Sequence, residues 1–130
     1  MLTAVAWSIE REVNGAPLYA QQSVEHTLAE MAPRGQASRL LVHAAASSYD
    51  AGEPREHITK SAAMAKLFCS DAAMRVTTDA VQVLGGYGYV EDYPAERYLR
   101  EAKALQIVEG TNQVQRLVIS RQLGHERHLS

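Results

Sequence analysis

The sequence predicts an all-α protein, specifically an antiparallel, up-and-down four-helix bundle. Apolar residues recur at spacings of three and four along most of the 130 residues, which is the period of helices with one buried face. A few glycine and proline residues separate these stretches. No alternating apolar pattern of the kind that indicates β-strands stands out. The chain has the length of one ordinary domain with a core of its own.

The first predicted helix covers Met1 to about Val13. Leu2, Val5, Ala6 and Ile9 fall on one side of it. Asn14-Gly15 is expected to end this helix, and Pro17 follows at a position that suits the first turn of another helix.

The second helical pattern covers residues 18–31. Pro33 and Gly35 come next, and a proline inside a helix removes one hydrogen bond and clashes with the preceding turn. The sequence therefore predicts a kink or a break here, with helix resuming over residues 38–49.

The third helix, predicted over residues 57–84, has the clearest pattern. Asp71 and Arg75 are spaced to pair on its outer face, and Gly85-Gly86 is expected to end it. Eight small or apolar residues form its buried stripe: Ile58, Ala62, Ala65, Cys69, Ala72, Val76, Ala80 and Val83.

Two shorter helices complete the prediction. Tyr93-Pro94 opens the first, whose polar side carries charges spaced for mutual salt bridges. The last helix is predicted from Asn112 to about Leu123, where Gly124 stops it. The charged residues on the helix that follows Tyr93-Pro94 are Glu96, Arg97, Arg100 and Glu101.

A single carboxylate, Glu109, lies in the turn between these two helices. Gly110 follows it and can adopt a left-handed conformation or let another molecule approach the backbone. Thr111 suits the N-cap of the last helix, where N–H groups and the helix dipole favour electron-rich ligand atoms. An acidic residue in a capped loop is common in proteins, so this pattern alone leaves an ordinary loop as the alternative.

Composition narrows the function. The net charge of −2 and the lack of a basic patch argue against nucleic acid and anionic membranes as partners. The only cysteine, Cys69, indicates a reducing, cytoplasmic compartment and reads as a small core residue. No apolar run is long enough to span a bilayer. The tail histidines, His125 and His128, lack the context of a metal site, so no metal is expected.

Four motifs in fixed order carry a family resemblance. Residues 79–88 read DAVQVLGGYG, residues 93–97 read YPAER, residues 100–103 read REAK and residues 109–116 read EGTNQVQR. This succession resembles the C-terminal helical domain of the acyl-CoA dehydrogenase family over almost the whole chain. The family oxidises an acyl-CoA thioester to the trans-2-enoyl-CoA with a flavin as hydride acceptor.

The resemblance implies roles for individual residues. Glu109 matches the family's base, which removes the α-proton of the substrate, and Gly110 would let the backbone approach the thioester. Residues 10–15 resemble the family's ERxxFG turn, in which Asn14 replaces the usual phenylalanine. Arg11 is either the match of an arginine that reaches the flavin pyrophosphate or a solvated helix-end cation. The other positions that match flavin contacts are Gln22, Gln82, Gly85, Gly86, Thr111 and Gln113.

The resemblance also implies FAD as cofactor, acyl-CoA as substrate, a homo-oligomer, and an electron-transfer flavoprotein or a similar electron acceptor. Residues 1–130 are expected to form a single helical domain, without the family's N-terminal helical domain and middle β-domain. The chain is then part of a dehydrogenase that other domains or a companion chain complete, and is inactive alone. The alternative is a truncated, non-catalytic member that acts as a helical oligomerisation or interaction module.

Overall fold

The computed structural model describes residues 1–126 and is all-α, as the sequence predicts. The third helix, α3 (Arg55–Leu84), contacts each of the other α-helices. It is therefore the element on which the rest of the bundle is assembled. The helices are α1 (Leu2–Glu10), α2 (Gln22–Asp50), α3 (Arg55–Leu84), α4 (Gly86–Tyr89), α5 (Ala95–Leu105) and α6 (Asn112–Glu126).

The N-terminal region differs from the prediction, because α1 ends at Glu10. Two short antiparallel strands follow, β1 (Glu12–Val13) and β2 (Ala16–Pro17), joined by Asn14-Gly15. Asn14 has φ 55° and Gly15 has φ 79°, the two left-handed residues of the hairpin turn that Asn-Gly favours. The expected helix to Val13 was wrong because this turn chemistry competes with helix. A 3₁₀ turn, Leu18–Ala20, then precedes α2.

The expected break at Pro33 is also wrong, since α2 continues through it. Pro33 and Ala29, whose carbonyl would have accepted its hydrogen bond, are both exposed. Water can therefore satisfy that carbonyl, and the loss is one hydrogen bond. Packing against α3 supplies the stability that the local sequence lacks.

The buried core lies at one end of the α2–α3 pair. Its fully buried members include Ala4 of α1 and Met31 of α2. By contrast, no residue in the range 32–62 is buried. We call this range the hairpin arm. The core cluster consists of Ala4, Leu28, Met31, Ala80, Val83, Leu84 and Ala95.

Half of the predicted stripe on α3 is buried: Ala65, Ala72, Ala80 and Val83. Ala62 lies in the hairpin arm and is exposed. Cys69 is half-buried, and its Sγ donates to the Ser38 carbonyl at 3.4 Å.

The salt bridges predicted on α5 are present, with Arg100 Nε 2.8 Å from a Glu96 carboxylate oxygen and Arg97 Nε 3.7 Å from one of Glu101. Arg75 pairs with Asp79 and not with Asp71 as predicted.

The last helix is longer than predicted, since α6 runs through Gly124 and His125 to Glu126. His128 lies outside the described residues. Among the described helices, none has an apolar stretch long enough to cross a membrane.

Candidate functional site

Glu109 lies in the connection between α5 and α6, which we call the Glu109 loop (residues 106–111). Glu109 has φ 54° and Gly110 has φ 87°. Two consecutive left-handed residues reverse the chain sharply, and the first is a residue type that rarely adopts this conformation. Glu109 is exposed, so its carboxylate is free to meet a ligand.

Side chains from the start of α6 fix this turn. The N–H of Val114 donates to Thr111 Oγ1 at 3.3 Å, which confirms Thr111 as the N-cap. Gln115 Nε2 donates to the carbonyl oxygens of Glu109 and Gly110, at 3.3 and 3.1 Å. A Cβ at Gly110 would lie 2.9 Å from that nitrogen. The backbone angle therefore favours glycine at position 110, and a larger residue there would also displace the Gln115 amide from its place against the turn.

A buried amide anchors the end of the Glu109 loop, and sequence reasoning missed it. Asn112, the first residue of α6, is 4% exposed. Its Oδ1 accepts from Lys66 Nζ at 2.7 Å, and its Nδ2 donates to Ser70 Oγ at 2.9 Å and to Asp71 Oδ1 at 2.7 Å. The three partners lie on α3, more than forty residues away along the chain, so no local pattern could have revealed them.

Two predicted flavin contacts lie together beside this loop. Thr111 and Gln113 line a mostly polar cavity of about 350 Å³. A cavity of hydroxyl, amide and charged groups suits the polar part of a nucleotide. Its full lining is Asp71, Lys103, Gln106, Ile107, Thr111, Asn112, Gln113 and Arg116.

Three further predicted contacts lie around a second, apolar cavity of about 560 Å³, which we call the Arg11 cavity. Arg11 is exposed at its edge. Gly85 ends α3 with φ 61°. A Cβ at Gly85 or Gly86 would meet nothing within 4 Å, so the backbone there is open to a ligand. The lining is Trp7, Arg11, Val13, Leu18, Val83, Leu84, Gly85, Gly86, Tyr87 and Val90.

An aromatic cluster lies at the Arg11 cavity, next to the buried Gly88. The rings of Trp7, Tyr87 and Tyr93 contact one another, with centroids 4.9 to 5.9 Å apart. Gly88 is buried, and a Cβ there would lie 2.7 Å from the Val81 carbonyl oxygen. The third glycine of the GGxG pattern therefore lets α4 pack on α3, a steric role that sequence reasoning did not assign.

The two remaining predicted contacts lie apart from the Arg11 cavity. Gln82 is exposed and lines a neighbouring groove of about 270 Å³ together with Leu18 and Val83. Gln22 is the exposed first residue of α2 and does not line the Arg11 cavity.

The candidate residues thus form two separate regions. The Glu109 loop is anchored at Asp71 of α3, whereas Gly85 lies fourteen residues further along, about 20 Å at the rise of an α-helix. Within residues 1–126, no cluster of histidine, cysteine and carboxylate side chains could hold a metal ion.

Comparisons with known proteins agree with the resemblance that the four sequence motifs indicate. A family model described as the acyl-CoA dehydrogenase C-terminal domain matches residues 1–124. Cyclohexane-1-carbonyl-CoA dehydrogenase of Geobacter metallireducens is 52% identical over 116 residues, which are 89% of this chain and 30% of that protein. Butyryl-CoA dehydrogenase from Megasphaera elsdenii aligns with a TM-score of 0.90 at 48% identity, covering 94% of this chain and 31% of the other.

An FAD complex of PigA aligns with a TM-score of 0.87 at 29% identity, over 95% of this chain and 31% of the other. The chain therefore spans about 30% of the length of the relatives that it matches.

Proposed function

Because this chain belongs to the acyl-CoA dehydrogenase family, we propose that it is the C-terminal helical domain of a flavin-dependent enzyme that dehydrogenates an acyl-CoA thioester. Glu109 is the base in this proposal. The observation that carries it is the left-handed Glu109 followed by left-handed Gly110. Strained backbone of this kind persists where the surrounding structure enforces it, and it concentrates at functional sites.

The reaction step assigned to Glu109 is removal of the α-proton. The α-carbon of a thioester is a weak acid, so its deprotonation requires a base within hydrogen-bond reach of that proton. The exposed carboxylate can meet a substrate that approaches the turn. A bound acyl-CoA would remove water from around it and so strengthen it as a base. Gly110 itself has no side chain that would keep the thioester away, and the neighbouring Gln115 amide lies on the side of the backbone where its Cβ would be.

The described residues fit FAD in two places. FAD, when bound, supplies the acceptor for the β-hydrogen, which leaves as hydride. At the Arg11 cavity, the Arg11 guanidinium would hold the pyrophosphate, and the open backbone of Gly85 and Gly86 would allow close approach. Beside the Glu109 loop, Thr111 and Gln113 offer hydroxyl and amide groups. Gln22 and Gln82 are exposed and available to the same cofactor.

The separation of these regions supports an oligomer. Two groups of flavin-contacting residues about 20 Å apart along α3 would serve two different FAD molecules, each shared with another subunit. The remaining flavin and acyl-chain contacts would come from an N-terminal helical domain and a β-domain, supplied on the same polypeptide or by a companion chain. Electrons would then pass to an electron-transfer flavoprotein or a similar acceptor, and the cytoplasm remains the predicted compartment.

Glu109→Gln tests the catalytic assignment. Glutamine preserves shape and hydrogen bonding but cannot take the α-proton, so acyl-CoA oxidation by the completed enzyme should fall about 10²- to 10⁴-fold. The melting temperature should be unchanged. Glu101→Gln removes an exposed carboxylate from α5 and serves as the matched control with normal turnover. Retained turnover in Glu109→Gln would refute the role of Glu109.

FAD binding has its own test. We expect the isolated 130-residue chain to bind FAD weakly or not at all, because the other flavin-binding domains lie outside its span. Purified protein should therefore lack the visible flavin spectrum. A yellow protein with one FAD per chain would contradict this expectation.

A non-catalytic interaction module is the second candidate, and the hairpin arm supports it. No residue in 32–62 is buried, while large apolar side chains are exposed there and on the adjoining turns of α3. Exposed apolar surface of this kind is typical of contact sites. The side chains are Leu40, Val42, Tyr49, Met64 and Phe68.

Two measurements together separate the two candidate functions. Light scattering of the isolated chain and of Phe68→Glu reports oligomerisation, and a turnover assay with the other domains added reports catalysis. Both candidate functions predict that the isolated chain forms an oligomer and that the glutamate in Phe68→Glu weakens it. Only the module predicts that adding the other domains produces no turnover. A monomer at high concentration would count against the oligomer in either case.

A further inference from the structure

The left-handed Glu109 requires an external constraint, because this conformation costs a non-glycine residue about 1–3 kcal/mol. The two ends of the Glu109 loop indicate where the constraint comes from. The backbone N–H of Asn112 donates to the Gln106 carbonyl at 3.1 Å. This bond closes residues 106–112 into a ring, and Glu109 lies at its midpoint.

The side chains at both ends of this ring bind the same atom. Gln106 Nε2 donates to Asp71 Oδ1 at 2.6 Å, and Asn112 Nδ2 donates to it at 2.7 Å. Hydrogen bonds to an ionised carboxylate are stronger than those between neutral groups. One oxygen of Asp71 therefore joins the start of the loop to its end.

Each member of this junction is held from a second direction. The other Asp71 oxygen, Oδ2, accepts from Arg116 Nη2 of α6 at 3.4 Å. Gln106 Oε1 accepts from Lys103 Nζ of α5 at 3.0 Å. Asp71 thus connects the central helix to the helices before and after the loop.

We propose that Asp71 is the positioning residue that holds Glu109 in its left-handed conformation and so aims its carboxylate. The catalytic part of this inference rests on the proposed function, whereas the conformational part does not. Without the Asp71 oxygen, the backbone bond between Asn112 and Gln106 loses the side-chain support on both of its ends, so the ring opens more often and Glu109 can relax towards an ordinary φ. Because proton transfer requires close alignment, a shift of about 1 Å at the base costs about a hundredfold in rate.

The conformational part is tested on the 130-residue chain by NMR. A left-handed residue gives a strong NOE between its own amide and α protons, and this signal reports the φ of Glu109. In Asp71→Ala, the Glu109 NOE should weaken, and the Asn112 amide should exchange with solvent at least about tenfold faster, since local opening controls that exchange. Glu30→Ala removes an exposed carboxylate paired with Arg34 on α2 and should change neither signal.

A milder variant keeps the proposal testable if Asp71→Ala does not fold. Gln106→Met removes one of the two donors to Asp71 Oδ1 without altering α3, and it should shift both signals in the same direction by a smaller amount. Wild-type signals in every folded variant would overturn the proposal.

Kinetics of the completed enzyme test the catalytic part. Asp71→Ala should lower kcat about ten- to a hundredfold with a smaller change in KM, and Glu30→Ala should leave both unchanged. An unchanged kcat in Asp71→Ala would overturn the catalytic part. If Glu109→Gln retains turnover while Asp71→Ala alters the NOE, the proposed function fails and the positioning of the loop by Asp71 stands.

Discussion

The Glu109 loop and the Arg11 cavity both contain left-handed backbone, but the chain holds it in different ways. Gly85 adopts φ 61° without a side chain to obstruct it. Glu109 adopts φ 54° although it has one, and buried polar bonds through Asn112 enforce the turn. Where only backbone must be presented, glycine avoids strain. Where the residue at the turn carries a carboxylate, the backbone is strained, and hydrogen bonds offset the cost of that strain.

The two regions should consequently fail for different reasons when mutated. The region of the Arg11 cavity should fail through loss of space, and the Glu109 loop should fail through loss of polar partners. Substitutions matched within each region can separate these causes.

Gly88→Ala should have the largest effect. Its new methyl group would lie 2.7 Å from the Val81 carbonyl oxygen and 2.9 Å from Leu84 Cβ, so α4 must move away from α3 and disturb the aromatic cluster. We expect a loss of about 3 kcal/mol in the free energy of unfolding, measured by urea denaturation. Gly86→Ala has open space around its Cβ and should be nearly neutral. Equal stability of the two variants would contradict the steric role of Gly88.

Asn112→Ala should destabilise the chain by about 2 kcal/mol, because it leaves the polar groups of Ser70 and Asp71 without their buried partner. Gln113→Ala, at the exposed next position, should change the unfolding free energy by about 0.5 kcal/mol or less. The same urea titration measures both. A similar small loss in both variants would mean that the buried network contributes little.

Glu109→Gly tests strain directly. Glycine relieves the left-handed penalty but adds freedom to the unfolded chain, and the two effects are each about 1 kcal/mol. Stability should therefore stay level or rise slightly. Glu101→Gly, inside α5, has no strain to relieve and should lose about 1 kcal/mol. Thermal unfolding of both proteins provides the comparison, and equal losses would argue against strain at Glu109.

The smallest effect is expected at Glu96, which flanks Gly88 in a surface groove. A hydrogen bond from Arg100 lowers the pKa of Glu96 below its ordinary value of 4.5. A depressed pKa stabilises the fold above the ordinary value, and this contribution disappears as the pH falls through the folded value. The melting temperature of Glu96→Gln should lie slightly below wild type at pH 7 and converge with it at acid pH. If the difference in melting temperature between the two proteins instead widened at acid pH, the pKa of Glu96 would be raised and not lowered by folding.

The sequence predicted what depends on local periodicity. The all-α fold, the end of α3 at Gly85, the Thr111 cap and the ion pairs of α5 all rest on residues within four positions of one another. The hairpin at Asn14-Gly15 was also a local signal, but it was read as a helix end.

Contacts between distant segments could not be predicted in this way. Asp71 was expected to pair with Arg75, four residues away, yet its partners lie on α6 and in the Glu109 loop. A serine at position 70 and an asparagine at the start of α6 were the available hints of a buried polar junction. Spacing along one helix cannot show that these residues meet.

The continuous pair of α2 and α3 also has a consequence for the order of folding. Only Ala51 to Pro54 separate the two helices, so their first contacts close a very short loop at little entropic cost. The junction at Asp71 joins residues 35 and 41 positions apart, and contacts of greater sequence separation form more slowly. A refolding chain should therefore form the turn end of its α2–α3 hairpin first, and Glu109 should reach its final conformation later.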